Sequence, residues 1–246
     1  LMDVLKSIFI WLTGVIIIVV FFPITFLVWI FALPFDKNRK VIHRLLNRQS
    51  KILVGVTTIW KVIIEGKENA SGDVPYVIIS NHQSILDILF INCLGYDLKW
   101  VSKIENMKVP FVGWYLRMAD YIIINRGDPD SKEQMMEKSM RSLSRGTSVM
   151  MFPEGTRSVN GDIGFFKRGA FQMAINAGVP ILPIVLDGSG GTLPKHGLVF
   201  TTGHRVKLKV FEPVNPDSFG TTDPDVLSVK FSNFMIRALN EMRRNS

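Results

Sequence analysis

The chain has 246 residues, of which 47% are hydrophobic and 20% are charged. This is enough for one domain with a sizeable core, and the chain is too apolar to be intrinsically disordered. Twenty-nine Lys and Arg against 21 Asp and Glu give a net charge of +8, which suits an acidic partner such as nucleic acid or anionic lipid. The single cysteine, Cys93, and the lack of any Cys/His cluster exclude a disulfide scaffold and a structural zinc site, and we predict no metal.

The first predicted element is an apolar segment at 7–35, in which no residue is charged. As one helix, at about 1.5 Å per residue, this segment would be about 44 Å long, which exceeds the bilayer core. No small-residue cleavage site follows, so we interpret it as a retained membrane element rather than a signal peptide. Pro23 lies within it and predicts a bend or a break near Phe22. Two geometries remain open, a kinked helix across the bilayer and a helix-turn-helix within one leaflet.

A basic amphipathic helix is predicted at 37–58, directly after the apolar segment. From Lys37 to Lys61 the chain carries no acidic residue and seven basic ones, Lys37, Arg39, Lys40, Arg44, Arg48, Lys51 and Lys61. The positive-inside bias predicts that this flank and the domain after it lie on the cytoplasmic face of the inner membrane. The helix either lies on an anionic lipid surface or packs on the domain with a solvated basic face. Its continuity with the membrane segment argues against nucleic acid as a partner.

We therefore divide the chain into membrane-anchoring helices at 1–58 and an α/β domain at 59–246. In the second part short apolar runs alternate with amphipathic segments, which predicts a mostly parallel central sheet of about seven strands flanked by helices. Strands are expected near 60–65, 75–80, 98–102, 120–125, 148–152, 181–187 and 206–211. Helices are expected at 84–93, 107–118, 129–145, 168–177 and 225–243. In the last strand apolar residues alternate with basic ones, which predicts a half-exposed edge strand.

The first loop with chemically active residues is 80–87, directly after a predicted strand. His82 and Asp87 would point about 140° apart if both lay in a helix, so they can meet only if His82 precedes it. Ser84 is then the N-cap and Asp87 the N3 residue, whose carboxylate can reach back toward His82. A carboxylate bonded to one imidazole nitrogen leaves the other nitrogen as a general base. The alternative is a capping box beside an incidental surface histidine.

Cationic and small residues gather at the ends of other predicted strands. In the turn after the strand near 148–152, Gly155 allows a close backbone approach, Thr156 offers a hydroxyl and Arg157 a guanidinium. Such groups suit a phosphate. The alternative is that Glu154 and Arg157 simply pair with each other. Further cations at comparable positions are Arg126, Lys103 and Lys167.

A glycine-rich stretch at 188–193 does not complete a nucleotide motif. It lacks the third glycine of a dinucleotide fingerprint, and no Walker A loop is present elsewhere in the sequence. Nucleotide hydrolysis and NAD chemistry are therefore not supported.

Four short motifs follow one another in an order and spacing typical of one family. They are Asn81-His82-Gln-Ser-x-x-Asp87, Asn125-Arg126, Phe152-Pro-Glu-Gly-Thr-Arg-Ser158 and Val179-Pro-Ile-Leu-Pro-Ile184. With them the chain, from about 60 to 215, resembles the glycerolipid acyltransferase family, in particular its bacterial 1-acyl-sn-glycerol-3-phosphate acyltransferases. One departure is Ala119-Asp120, where the family usually has a glycine.

The resemblance implies transfer of a fatty acyl chain from acyl-CoA or acyl carrier protein to the sn-2 hydroxyl of lysophosphatidic acid, which gives phosphatidic acid in phospholipid biosynthesis. It implies a catalytic pair in which His82 is the general base and Asp87 orients it, in a direct attack without an acyl-enzyme. We expect the phosphate and glycerol to be bound by Arg157, Glu154, Gly155, Thr156, Arg126, Lys103 and Lys167. The resemblance also implies lysophosphatidic acid rather than glycerol 3-phosphate as acceptor, because family members that act on glycerol 3-phosphate tend to carry glycine where this chain has Thr156. No cofactor is expected besides the acyl-CoA or acyl carrier protein co-substrate.

Two other classes of protein remain open. A membrane-bound lipid hydrolase, either a thioesterase or a lysophosphatidate phosphatase, would use the same His/Asp pair to activate water. A non-catalytic lipid-binding scaffold would need only the anchor and the basic helix. The helix predicted at 107–118 is either a wall of a channel for acyl chains or part of the core.

Overall fold

The computed structural model describes residues 2–57, 59–71, 74–195, 197–201, 203 and 205–245. In this part of the chain the helices are α1 (Met2–Ala32), α2 (Lys40–Thr57), α3 (Asp87–Asn92), α4 (Val112–Met118), α5 (Pro129–Ser144), α6 (Gly169–Ala177), α7 (Ser189–Thr192) and α8 (Pro224–Arg244). The strands are β1 (Lys61–Glu65), β2 (Val77–Ser80), β3 (Leu98–Lys103), β4 (Ile122–Ile124), β5 (Ser148–Met151), β6 (Ile181–Asp187) and β7 (Arg205–Val210). Short 3-10 helices occur at Lys67–Asn69, Ile104–Lys108 and Pro216–Phe219.

The strands form one sheet in the order β1-β7-β6-β2-β5-β3-β4. Every pairing is parallel except that of β6 with β7. The predicted α/β fold with a mostly parallel sheet is therefore confirmed. All four residues of β2, at the centre, are buried, which is typical of a parallel strand covered on both faces. Because β2, β3, β4, β5 and β6 run in the same direction, the loops that follow them leave the sheet at the same edge.

The prediction that the last strand lies at an edge is wrong. β7 pairs in parallel with β1 and antiparallel with β6, so it is an interior strand. Val206, Leu208 and Val210 are buried, whereas Arg205 is exposed and Lys209 partly exposed. The alternation of apolar and basic residues in β7 thus indicates that one face of the sheet is poorly covered. It carries no information on whether both neighbouring strands are present.

Two hydrophobic clusters cover the two faces of the sheet. One joins α2, α3 and α4 to it through residues such as Ile42 and Phe90. The other joins α5, α6 and α8 through residues such as Phe171 and Phe231. Since Ile42 of α2 is part of this core while Arg48 is exposed, the basic helix packs on the domain and presents its basic face outward. Contact of that face with an anionic lipid surface stays a prediction.

α1 is one uninterrupted helix of 31 residues with Pro23 inside it, so the predicted break near Phe22 is wrong. A proline removes a single backbone donor, and an apolar helix can continue beyond it. Among the described residues α1 is the helix that is long and apolar enough to cross a membrane. Many of its apolar side chains, such as Ile16 and Leu27, are exposed.

α1 also packs along the α/β domain. Near its start, the Ser7 hydroxyl accepts a hydrogen bond from the Phe200 backbone N–H at 2.8 Å. The ring of Trp11 lies 5.3 Å from that of Phe200. Farther along, the ring of Phe22 lies 5.3 Å from that of Phe111. α1 and the α/β domain are therefore in contact at points several turns of helix apart.

The helix predicted at 107–118 is shorter in the structure, because α4 begins only at Val112. Pro110 disfavours helical geometry at the residue before it, and Phe111 has a positive φ of 61°. Asp120 follows α4 and has a φ of 50°. The family that this chain resembles usually has a glycine in this turn. Aspartate tolerates this left-handed region better than most residues, which explains why the departure from glycine leaves the turn intact.

Candidate active site

The predicted pair His82 and Asp87 meets in the loop between β2 and α3. His82 Nδ1 lies 2.7 Å from Asp87 Oδ2, and His82 precedes the helix as predicted. α3 begins at Asp87, so the prediction of Ser84 as N-cap and Asp87 as N3 residue is wrong. Instead, Asp87 Oδ2 accepts the backbone N–H groups of Gln83 at 2.7 Å and Ser84 at 2.9 Å. These bonds fold the loop around the carboxylate before the helix starts, and the histidine is not an incidental surface residue.

The imidazole of His82 is fixed from a second side by an aromatic ring. It stacks on Phe152 with ring centroids 3.8 Å apart and an interplanar angle of 6°. The side chain is 16% exposed, and it lines a large cavity. Within the described part of the chain, Nε2 has no hydrogen-bond partner. Because the Asp87 carboxylate occupies Nδ1, Nε2 is the nitrogen that can accept a proton from a molecule in the cavity.

Glu154 holds the backbone of His82 rather than a neighbouring arginine. Its Oε1 accepts the His82 N–H at 2.9 Å, and its Oε2 accepts the Gly164 N–H at 2.9 Å. The His82 carbonyl in turn accepts the Ser158 N–H at 2.7 Å. Burial raises the pKa of Glu154, although the bonds from Gly164 and His82 act in the opposite direction. Both carboxylate oxygens of Glu154 thus bind backbone groups. The alternative prediction, that Glu154 pairs with Arg157, is therefore wrong.

Two of the predicted cations converge on the backbone of Gly155. A Cβ atom at this position would lie 3.3 Å from Lys167 Nζ and 3.6 Å from Arg126 Cζ. Gly155 also has a φ of 73°, which side chains rarely adopt. The absence of a side chain therefore leaves both cations room to approach. Burial lowers the pKa of Arg126, against a smaller opposite effect of Glu105.

The histidine and the cations share one cavity of about 1190 Å³. Its polar lining includes His82, Lys103, Arg126, Gly155, Thr156, Arg157 and Lys167. Its apolar lining includes residues of both N-terminal helices and of the region 109–116, namely Ile17, Ile18, Leu46, Leu53, Val109, Val112 and Leu116. The cavity can thus hold a molecule with an anionic head and an apolar tail. The region around α4 lines this cavity and also joins the core, since Leu116 is a core residue; a channel for acyl chains stays a prediction.

The sequence does not indicate the roles of two residues in the cavity lining, Lys195 and Phe152. Lys195 lines the cavity and donates from Nζ to the Arg157 carbonyl at 2.8 Å, but no motif marks a lone lysine in a loop. The sequence marks Phe152 only as part of a motif, because its stacking on His82 depends on the pairing of β5 with β2. Cys93 is outside the cavity lining, and burial raises the pKa of its thiol to about 11, which disfavours a nucleophilic thiolate.

A family model described as Acyltransferase matches residues 61–187. The chain is 36% identical over 186 residues to the chloroplastic 1-acyl-sn-glycerol-3-phosphate acyltransferase LPAT1 of Arabidopsis thaliana, covering 75% of this chain and 52% of that protein. It is 32% identical over 208 residues to the mouse 1-acyl-sn-glycerol-3-phosphate acyltransferase alpha, covering 84% and 71%. A Pseudomonas aeruginosa 1-acyl-sn-glycerol-3-phosphate acyltransferase is 38% identical over 54% of this chain and 52% of its own length. The chain thus spans about half the length of the plant and Pseudomonas relatives.

A solved structure is similar over nearly the whole chain. It is the 1-acyl-sn-glycerophosphate (LPA) acyltransferase PlsC from Thermotoga maritima, with a TM-score of 0.83 and 27% sequence identity. The similarity covers 98% of this chain and 96% of that one, so it includes the N-terminal helices as well as the α/β domain.

Proposed function

Because this chain belongs to the Acyltransferase family, we propose that it transfers a fatty acyl chain from an acyl thioester to the sn-2 hydroxyl of lysophosphatidic acid, giving phosphatidic acid. The observation that carries the proposal is one cavity that joins an oriented histidine, a group of cations and an apolar lining. These three parts match the hydroxyl, the phosphate and the acyl chain of such an acceptor. The names of the relatives support the same reaction.

In the proposed mechanism His82 acts as general base and Asp87 orients it. Nε2 accepts the proton of the sn-2 hydroxyl as the oxygen attacks the thioester carbonyl carbon. The tetrahedral intermediate then collapses, the carbon–sulfur bond breaks, and the imidazolium returns its proton to the departing thiolate. The Asp87 carboxylate holds Nδ1–H and stabilises the imidazolium between these steps. The direct attack needs no acyl-enzyme, in keeping with the position and raised pKa of Cys93.

We assign the phosphate of the acceptor to the cations around Gly155. Arg126 and Lys167 both approach the point where a Cβ atom of Gly155 would lie, and Arg157 lines the same cavity. Guanidinium and ammonium groups without an anionic partner bind phosphate through charge-assisted hydrogen bonds. The acyl chains would then extend along the apolar lining toward α1. Either acyl-CoA or acyl carrier protein can serve as donor in this scheme.

The proposal is tested by measuring thiol release from palmitoyl-CoA, and from palmitoyl carrier protein, with and without lysophosphatidic acid. The purified protein in detergent should release thiol only with acceptor, in an amount equal to the phosphatidic acid formed. His82→Ala should reduce this rate by about 10²- to 10⁴-fold, the usual effect of a positioned base. Release without acceptor would instead indicate a hydrolase that uses the same pair. No release from either donor would overturn the proposed reaction.

We further propose that α1 lies in one leaflet of the inner membrane, with the domain on the cytoplasmic face. Hydrogen bonds between α1 and the rest of the protein run from Ser7 to Thr25, whose hydroxyl accepts a bond from Gln49 Nε2 at 3.0 Å. This is about 27 Å of helix, close to the thickness of the bilayer core. A helix that crossed the core over this length would bring its polar partners into the hydrocarbon. The basic face of α2 would lie at the headgroups.

Cysteine labelling distinguishes the two membrane geometries. Val4, near the start of α1, and Phe35, three residues beyond its end, are both exposed and can be replaced singly by cysteine in a Cys93→Ser background. Both sites should react with an impermeant maleimide in inside-out vesicles and neither in intact spheroplasts. A cysteine at exposed Glu133 of α5 is the control for the cytoplasmic side. Reaction of the two ends from opposite sides would contradict the one-leaflet proposal.

A further inference from the structure

The glycine-rich stretch 188–193, which completes no nucleotide motif, forms a turn directly after β6. Gly188 has a φ of 89°, and a Cβ atom there would lie 2.0 Å from the Arg205 carbonyl oxygen. Only glycine fits such a position. The backbone of this turn is therefore fixed against β7. The next residue, Ser189, consequently has a fixed position beside the end of β6. Since β6 is the direct neighbour of β2, this point faces the loop that carries His82.

The Ser189 hydroxyl donates a hydrogen bond to Asp87 Oδ1 at 2.5 Å. Both residues are fully buried. The other carboxylate oxygen, Oδ2, already accepts from His82 Nδ1, Gln83 N–H and Ser84 N–H. Among the described residues Ser189 is the single donor to Oδ1. A buried carboxylate is stable as an anion only when its oxygens are hydrogen-bonded, so Ser189 provides the bond that Oδ1 would otherwise lack.

We propose that Ser189 is a positioning residue for the acyl transfer and acts through Asp87. With Oδ1 held by Ser189, the carboxylate keeps Oδ2 against Nδ1, so that His82 carries its proton on Nδ1 and leaves Nε2 bare. Without this donor the carboxylate can turn away from Nδ1 and no longer fixes the ring proton there. The neutral ring then carries its proton on Nε2, where it cannot accept one from a hydroxyl. Loss of Ser189 therefore removes the base while leaving the substrate sites intact.

This inference rests on the proposed function, and kinetics provide its first test. Ser189→Ala should lower kcat by about 10- to 100-fold, as expected for a lost bond to a charged group, with unchanged KM for acceptor and donor. Ser189→Thr keeps the hydroxyl and should restore most of the rate. The matched control is Thr192→Val, because the Thr192 hydroxyl is also buried but bonds the Gly188 carbonyl at 3.1 Å. This control should keep the wild-type kcat.

A second measurement needs no substrate. The chain has four histidines, so ¹⁵N-histidine labelling gives few signals, and His82→Ala identifies that of His82. At neutral pH the wild-type spectrum should show a protonated Nδ1 and a bare Nε2 for His82, and Ser189→Ala should shift the proton toward Nε2. If the wild type proves not to transfer acyl groups but this shift occurs, the proposed function fails while the positioning role stands.

Three results would overturn the inference. The first is a kcat of Ser189→Ala equal to that of the wild type. The second is an unchanged His82 tautomer in that variant. The third is a loss of rate in Thr192→Val as large as in Ser189→Ala, because the effect would then be a general loosening of α7. Should Ser189→Ala not fold, Ser189→Cys replaces it, since a thiol is a weak donor of similar size, and a wild-type kcat in that variant would equally contradict the proposal.

Discussion

The polar end of the cavity has two regions that differ in how their polar groups are partnered. In the loop that carries His82, almost every group is bonded within the protein. Asp87 accepts four hydrogen bonds, Glu154 binds the His82 backbone, and Asn81 exchanges two bonds with the backbone of Leu186. The free Nε2 of His82 is the exception among these groups, and it faces the cavity.

The cation region, defined as Lys103, Arg126, Arg157 and Lys167, shows the opposite. Within the part of the chain that the structure describes, none of these side chains has a carboxylate within ion-pair distance. A general base must be oriented before the substrate arrives, because its geometry decides the rate. A phosphate site must instead keep its donors available until the ligand supplies the charge. The loop that carries His82 thus orients the base, whereas the cation region binds the phosphate. Mutations in the loop should therefore lower kcat, and mutations in the cation region should raise KM.

The largest effect is expected from Asp87→Asn, because the Asp87 carboxylate is the group that orients His82. Four donors point at the carboxylate, whereas an amide offers a single acceptor oxygen and adds two N–H groups of its own. We expect a fall in kcat of about 10³- to 10⁴-fold, as for the loss of a triad carboxylate, together with a lower Tm. Turnover and thermal unfolding in detergent measure the two effects. Asp130→Asn, at an exposed position of α5, is the control. Turnover of Asp87→Asn within tenfold of the wild type would contradict the role of Asp87 in orienting His82.

A smaller effect on the same region is expected from Glu154→Ala. This change removes the acceptors of the His82 and Gly164 N–H groups, so the loop around the base loosens while the cations stay in place. We expect kcat to fall by about 10- to 100-fold, in the range of one or two lost bonds to a charged group, with little change in the KM for lysophosphatidic acid. Glu133→Ala, at an exposed site of α5, is the control. A rise in KM without a fall in kcat would instead place Glu154 in the cation region.

The sequence predicts the sheet and the His82–Asp87 pair well, because both depend on nearby residues. Apolar runs mark the strands, and a five-residue spacing constrains the pair to one geometry. It does not predict Ser189, which lies 102 positions from Asp87 and meets it only because β6 pairs with β2. The position of β7 has the same cause, since alternation of residue types records exposure and not neighbours. Lys195 likewise reaches Arg157 from a distant loop.

The cation region is probed by Arg126→Ala, with Lys167→Ala as a second variant. We expect the KM for lysophosphatidic acid to rise by about tenfold, the loss of one charge-assisted bond, with kcat and Tm nearly unchanged. The KM of the wild type should also rise with ionic strength, because these cations are solvated and screened. Arg141→Ala, a surface arginine that pairs with Glu137, controls for general loss of charge. A marked fall in Tm would show that the cations are structural and would remove the contrast between the two regions.

His43 gives the smallest expected effect on rate and shows what a complete set of hydrogen bonds does without a carboxylate. Its Nδ1 lies 2.6 Å from the Tyr121 hydroxyl and its Nε2 2.8 Å from the Tyr96 carbonyl oxygen. Burial lowers the pKa of His43 from 6.5 to about 4. Both nitrogens are occupied by neutral partners, so this histidine stays uncharged in the fold and has no nitrogen left for a substrate. Full bonding alone therefore makes a structural histidine, whereas His82 is a base because a carboxylate holds one nitrogen and the cavity leaves the other open.

The sign of the pH effect follows from this lowered pKa. Between pH 6.5 and about 4 the unfolded chain binds a proton at His43, whereas the folded chain does not. The free energy of unfolding therefore decreases as the pH falls through this range. His43→Gln cannot take up that proton. Its unfolding free energy should be lower than that of the wild type at pH 7, and the difference should shrink by about 1 to 3 kcal/mol toward pH 4. Unfolding is measured across this range beside kcat at pH 7, which should equal that of the wild type because His43 lies outside the cavity lining. A constant difference in stability would show that folding does not lower the pKa of His43, and a fall in kcat would show that His43 takes part in the reaction.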